Sequence, residues 1–246
     1  MLLLFDIDAT LLTSARAGVL AMRDTGLDLV GPHFSEEGHS FAGSLDPVII
    51  RNMLAAHGAP ADAAAMRRFR EAYHAHLRRR LEANNTARAL PGVRDLLAML
   101  NAASRGHQGP PESTPILGLL TGNFEETGLL KLRCAGIDPE QFQVRAWGDD
   151  SPFDPPARDH LPPVAMQRFR DRFRREIDPR LDPAAGGVTI IGDTPSDVAC
   201  GLAHGCRVLG VGTGQFTTAE LRAAGAHHVV ESLAVVDSVG RWLLDQ

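Results

Sequence analysis

Lysine is nearly missing from this chain of 246 residues: Lys131 stands alone among 25 basic residues, the other 24 being arginine. The excess of arginine reads as a coding bias, and a position that stays lysine against such a bias is a candidate for chemistry. Cysteine is scarce as well. Cys134, Cys200 and Cys206 make an odd set without a C-x-x-C pair, which suits a reducing compartment better than a disulfide framework. Cys200 and Cys206 are expected as small buried residues. No apolar run is long enough for a membrane span or a signal-peptide core, and the first one meets charge already at Asp6, so a cytoplasmic protein without a membrane partner is expected. A strong charge of either sign is absent too, the formal net charge being -5. Arg67, Arg68, Arg70 and Arg78 to Arg80 recur at helical spacing among apolar residues, without clustered aromatics. That pattern reads as solvated helix faces and excludes a nucleic-acid platform. Internal repeats and low-complexity segments are missing.

What is present is enough apolar material, 44% of residues, to bury a sizeable core. Short apolar runs at 2–5, 116–121, 188–192 and 207–211, with a weaker one at 228–230, alternate with amphipathic segments at 124–135, 162–176, 195–204 and 217–224. Near-continuous hydrophobic strands alternating with helices predict an α/β fold: a doubly wound, Rossmann-like parallel sheet covered on both faces. About 100 residues separate the first strand from the second, and helical patterns fill them at 15–25, 46–57, 61–83 and 92–104. A crossover needs a dozen or so residues. The excess predicts an inserted helical subdomain, residues 15–88, in a core made of 1–14 and 89–246. Asp46-Pro47 reads as an N-cap followed by proline at the first helical position, and Pro91-Gly92 as a break between helices. The stretches 105–114 and 148–163 are rich in turn formers and read as loops.

Ligands of open parallel sheets bind beyond the carboxyl ends of the strands. Here those ends carry Asp6 and Asp8 followed by Thr10, then Thr121-Gly122-Asn123, then Gly192-Asp193-Thr194-Pro195-Ser196-Asp197. Several carboxylates in a small volume repel one another unless a cation sits among them, and oxygen-only ligands select a hard ion, Mg²⁺. Histidine and cysteine are missing from these turns, which disfavours zinc. A magnesium ion held by carboxylates implies a phosphoryl substrate. Asp6, at the rigid strand end, is the nucleophile candidate, and Asp8 the acid and base for leaving group and water. Thr121, Gly122 and Asn123, opening a helix, are candidates to hold the phosphoryl oxygens. Thr10 and Thr194 read as structural, bonding turns and helix starts, and Asn123 as a helix N-cap first. His74 and His76 face different sides of their helix and cannot share a metal. His227 and His228 border a strand.

The segments "DIDATLL", "LLTGN" and "IGDTPSD", in this order and with a helical insert after the first, resemble the haloacid dehalogenase-like hydrolase superfamily, and within it the phosphoglycolate phosphatase-like phosphatases with a helical (C1-type) cap. The resemblance covers nearly the whole chain. It implies Asp6 as nucleophile, Asp8 as acid/base, Thr121 as phosphate binder, and Mg²⁺ held by Asp6, the backbone carbonyl of Asp8 and Asp193, with Asp197 close to the metal shell. "FAGSLDPVII" (41–50) is similar to a cap segment of these enzymes that faces the substrate. Two departures stand out. Ala9 replaces the usual glycine, and the Lys-Pro turn that often supplies a cation near the phosphoryl group is absent. Lys131, about 10 Å along its helix from Phe124 at ~1.5 Å per residue with a side chain tilted back toward the N-terminus, is one candidate for that cation, and Arg158 the other.

The function expected is a Mg²⁺-dependent phosphatase for a small phosphorylated metabolite, phosphoglycolate-like by resemblance, working as a monomer or homodimer. The alternatives are a sugar phosphomutase of the same superfamily and a non-catalytic phosphate-binding protein. A dehalogenase would have no use for Asp8 and the metal carboxylates. A phosphonate hydrolase would need a cap lysine, which residues 15–88 do not contain.

Overall fold

A computed structural model describes residues 1–106, 114–174, 176–177 and 187–244. Its main sheet has six parallel strands in the order β5-β4-β1-β6-β7-β8: β1 (Leu2–Phe5), β4 (Ile116–Leu120), β5 (Val144–Ala146), β6 (Val188–Gly192), β7 (Arg207–Val211) and β8 (His228–Val230). β1 lies at the centre, every residue buried. Alternate side chains go to opposite faces of a strand, so Leu3 and Phe5 join one core with α4 (Val93–Gly106) and α9 (Val236–Leu244), while Leu2 and Leu4 join another with α6 (Leu161–Phe173) and α7 (Pro195–Ala203). This is the doubly wound α/β core. It stacks apolar strands between two helical layers, which leaves polar residues free at the strand ends.

Between β1 and α4 lie three helices, α1 (Ala17–Leu29), α2 (Asp46–Ala56) and α3 (Ala63–Ala83). A short antiparallel ribbon of β2 (Leu12–Thr13) and β3 (Arg88–Ala89) pairs the chain entering this insert with the chain leaving it. Helix α1 runs past the expected stop at residue 25, and its Gly26 lets the Phe34 ring pack against the helix, since a Cβ there would lie 1.9 Å from that ring. Arg70 of α3 forks onto Glu126 at 2.6 and 2.8 Å, bonds Asp149 at 2.5 Å and lies 4.2 Å over the Phe124 ring, which seats the insert against α5 (Glu125–Cys134).

Strand β5, the β2–β3 ribbon and α9 are found where no element is expected from the sequence; β5 is three residues long and the two ribbon strands two each. Within 148–163 the chain forms a 3₁₀ turn at Arg158–His160 and then starts α6 at Leu161. A short helix, α8, spans Thr218–Ala223. Most of the turn-rich stretch 105–114 lies outside the described residues. Asp46 corrects an expectation: Leu45 is the N-cap of α2, Pro47 lies in its first turn, and the Asp46 carboxylate bonds elsewhere. Cys200 and Cys206 are buried, and His76 pairs with Asp28 at 2.8 Å. His227 Nδ1 accepts the Val208 N–H, while His228 stacks on Trp242. Among the described residues no helix is long and apolar enough to cross a membrane.

Candidate active site

Asp6 follows the last residue of β1 and is tied to the sheet by its N–H, which donates to the Ile191 carbonyl at 2.9 Å. The chain then turns sharply. Ala9 takes a left-handed conformation with φ 57°, held by its N–H to the Leu12 carbonyl (2.8 Å) and by Thr213 Oγ1 donating to its own carbonyl (2.5 Å). Those bonds offset the cost of positive φ at a residue with a Cβ. The turn divides the two carboxylates. Asp6 is buried, whereas the side chain of Asp8 is 42% exposed.

Around Asp6 the charges are crowded. One carboxylate oxygen each of Asp6, Asp193 and Asp197 falls within 4.8 Å of the others, all three being buried. Arg158, from the 3₁₀ turn before α6, brings Nη2 to 3.2 Å from Asp6 Oδ1 and 2.5 Å from Asp197 Oδ1. Asp197 is spent on structure as well: its Oδ2 accepts the N–H and Oγ1 of Thr194, and Thr194 Oγ1 in turn accepts the Asp197 N–H, a reciprocal cap that starts α7. Thr10 Oγ1 donates to Asp193 Oδ1 at 3.3 Å. Gly214 packs so closely on Asp193 that a Cβ would meet Oδ2 at 1.8 Å.

Burial pushes the Asp193 carboxyl up to about 8, with Asp197 and Asp6 adding repulsion. Burial likewise raises Asp6 to about 6, against the pull of Arg158. An acid with a raised folded pKa holds its proton in the folded state after the unfolded chain has lost it, so its contribution is full below 3.8 and disappears as pH rises through 6 and 8. In EDTA, therefore, the urea midpoint is expected to fall between pH 5 and pH 8, a window above the titration of ordinary surface carboxylates. If the cluster holds Mg²⁺, the added ion is expected to raise the midpoint most at pH 8. A midpoint that climbs over this range in EDTA contradicts the repelling cluster.

On the other side of β1, the turn after β4 carries Thr121, Gly122 and Asn123, and Thr121 and Asn123 are buried. Asn123 is not a helix cap: Phe124 holds that position, and the Asn123 amide instead donates to Asp8 Oδ2 (2.9 Å) and Thr121 Oγ1 (2.8 Å). Its Oδ1 accepts from Lys131 Nζ at 2.6 Å, and the same ammonium donates to Asp8 Oδ2 at 2.7 Å. Burial works against the Lys131 charge, but Asp8 and Asp46 outweigh it and hold the ammonium above the ordinary lysine range. The two candidate cations thus take different places, Arg158 at Asp6 and Lys131 at Asp8.

A cavity of about 240 Å³ opens over these groups, lined by Asp6, Asp8, Thr121, Lys131, Arg158 and Asp193 from the core and roofed by the insert, including Val19, Met22, Phe41, Ile49 and Tyr73. Asp46 and Tyr73 are site residues that sequence reasoning missed. The Asp in "SLDP" was visible but read as a local cap. Tyr73 is the single tyrosine of the chain and sits at a buried helical position that reads as core. The donor chemistry of this cluster suits a hard cation: all-oxygen ligands, buried and mutually repelling, with one guanidinium against three carboxylates.

Residues 163–236 match the family model described as HAD-hydrolase-like. No curated protein matches by sequence. Solved structures similar over nearly their whole length include CbbY from Rhodobacter sphaeroides in complex with phosphate (TM-score 0.70, 19% identity, 95% of this chain and 94% of that one). A predicted phosphoglycolate phosphatase from Haemophilus somnus (0.66, 18%, 97% and 96%) and a hydrolase from Pseudomonas syringae (0.66, 20%, 96% and 95%) are similar too. The chain shares the fold of these structures, and its match to the HAD-hydrolase-like model lies within residues 163–236.

Proposed function

We propose that the protein is a Mg²⁺-dependent phosphatase that hydrolyses a small phosphorylated metabolite through an aspartyl-phosphate at Asp6, with residues 15–88 as the cap. The observation that carries this reading is the division of labour at the end of β1: Asp6 faces the buried carboxylates and Arg158, while Asp8 faces the cavity beside Lys131. Asp6 attacks phosphorus and Asp8 protonates the departing oxygen. Asp8 then takes a proton from the water that cleaves the acyl phosphate. Thr121, Gly122 and Asn123 hold phosphoryl oxygens at the start of α5. Arg158 faces the transferred group as the neutralising cation. Its Nε is buried with no partner, a donor that a phosphoryl oxygen can satisfy. Lys131 holds Asp8 and Asn123 in place.

Asp6, Asp193 and the backbone carbonyl of Asp8 would hold Mg²⁺, with Asp197, both oxygens engaged, contributing its charge. The ion would neutralise the carboxylates and the phosphoryl oxygens during transfer.

The insert presents one cation to the cavity, Arg16 at the rim, which is 68% exposed and 3.7 Å from Glu36. A sugar phosphomutase must hold a second phosphate, so this poverty favours transfer to water. The test is phosphate release from p-nitrophenyl phosphate and a panel of small phosphomonoesters, with Mg²⁺ and with EDTA. Release that requires the metal is expected. No release from any of them, with Mg²⁺ binding shown by calorimetry, overturns the reading.

A further inference from the structure

We propose that Asp46 is a positioning residue of the phosphate-binding turn: contributed by the insert, it caps the core helix α5 from outside and thereby sets Asn123 and Lys131. This inference rests on the phosphatase reading above. Helix α5 starts with Phe124, which has no side-chain oxygen with which to satisfy the first N–H groups. Asp46 supplies that oxygen. Its Oδ2 accepts the Phe124 N–H at 3.1 Å and lies 3.5 Å from Thr127 Oγ1, while its own N–H donates to the Gly122 carbonyl at 2.7 Å. One residue therefore grips both neighbours of Asn123.

The grip has no slack. A Cβ on Gly122 would lie 2.1 Å from the Ser44 carbonyl, so the segment leading into α2 meets the turn backbone on backbone. From Asn123 the bonds continue to Asp8, Thr121 and Lys131. A displacement of Phe124 would thus reach the acid/base and the phosphate pocket together. Burying a carboxylate here is costly, and burial pushes Asp46 up to about 7. The position is nonetheless carboxylate because short acceptors such as Asp and Asn are the strongest helix caps. The phosphate turn is complete only when the insert is seated.

Asp46→Asn keeps the acceptor in place and removes the charge, whereas Asp46→Glu keeps the charge and displaces the acceptor. In the Mg²⁺-loaded full chain, Asp46→Asn is expected to bind inorganic phosphate and turn over p-nitrophenyl phosphate within about threefold of the original, since Asn caps as well as Asp. Asp46→Glu is expected to lose roughly tenfold in phosphate affinity and in kcat/KM while still melting cooperatively. Asp46→Ala, with the same expected loss, replaces the Glu variant if that one does not fold. Exchange of the Phe124 amide, read by NMR without turnover, accelerates in the Glu or Ala variant and not in the Asn variant. Normal phosphate binding and turnover in a folded Glu or Ala variant overturns the proposal. So does a defective Asn variant beside a normal Glu one, which would make charge the decisive property. If the original protein neither binds nor releases phosphate, the phosphatase reading fails by itself, and the amide exchange still reports on the cap.

Discussion

Asp6→Asn is expected to fold, melt higher than the original protein in EDTA at pH 8, and release no phosphate. Rate falls by roughly 10⁴-fold or more when a nucleophile is removed, because an amide oxygen cannot form the acyl phosphate. The gain in stability has a separate cause. Asp6 is raised to about 6 by burial, with Asp197 and Asp8 adding repulsion, so the folded state favours a neutral group there. Loss of function with gain of stability marks a side chain kept for chemistry against the interest of the fold. Phosphate release and urea melts on the same preparation check both halves. Undiminished turnover in a folded Asp6→Asn protein removes Asp6 from the mechanism.

Arg158→Leu is expected to fail in both respects. Arg158 is 8% exposed and its guanidinium bridges Asp6 and Asp197, and removing one partner of a buried charge group costs about 3–5 kcal/mol because the remaining charges lose compensation. Mg²⁺ should recover part of that loss, since it neutralises the same carboxylates. Turnover at saturating Mg²⁺ should still fall, by roughly 10²- to 10³-fold, the range seen when one donor to a developing anion is removed. Arg158→Lys keeps the charge but not the fork, and should fall between. Full turnover in a Mg²⁺-stabilised Arg158→Leu protein would leave Lys131 as the phosphate cation.

The sheet was legible because parallel strands covered on both faces must be apolar throughout, as the runs at β1, β4, β6 and β7 are. Strand β5 was not legible. With three residues, one of them Arg145, it has no periodicity of its own and exists because β4 offers it an open edge. The β2–β3 ribbon is shorter still, and it is held by the two ends of the insert meeting in space. Helix α9 packs on α4 through Gly240, where a Cβ would meet the Met99 sulfur at 2.3 Å. In sequence that glycine weakens a helical pattern; in the fold it permits contact.

At the site, the sequence by itself determined the reactive groups: carboxylates at two strand ends, a Thr-Gly-Asn turn at a third, and a single lysine on the following helix. Spacing along the chain was enough for these because strand ends in such a sheet share one edge. Tertiary structure alone decided which charge faces which. Arg158 lies 152 positions from Asp6 and 39 from Asp197 in sequence, and the capping of α5 by Asp46 joins residues 78 apart. Local pattern reports what a residue can donate or accept. The fold decides which partner is within 3 Å, and in a buried site that partner sets both the charge a group can carry and the role it can play.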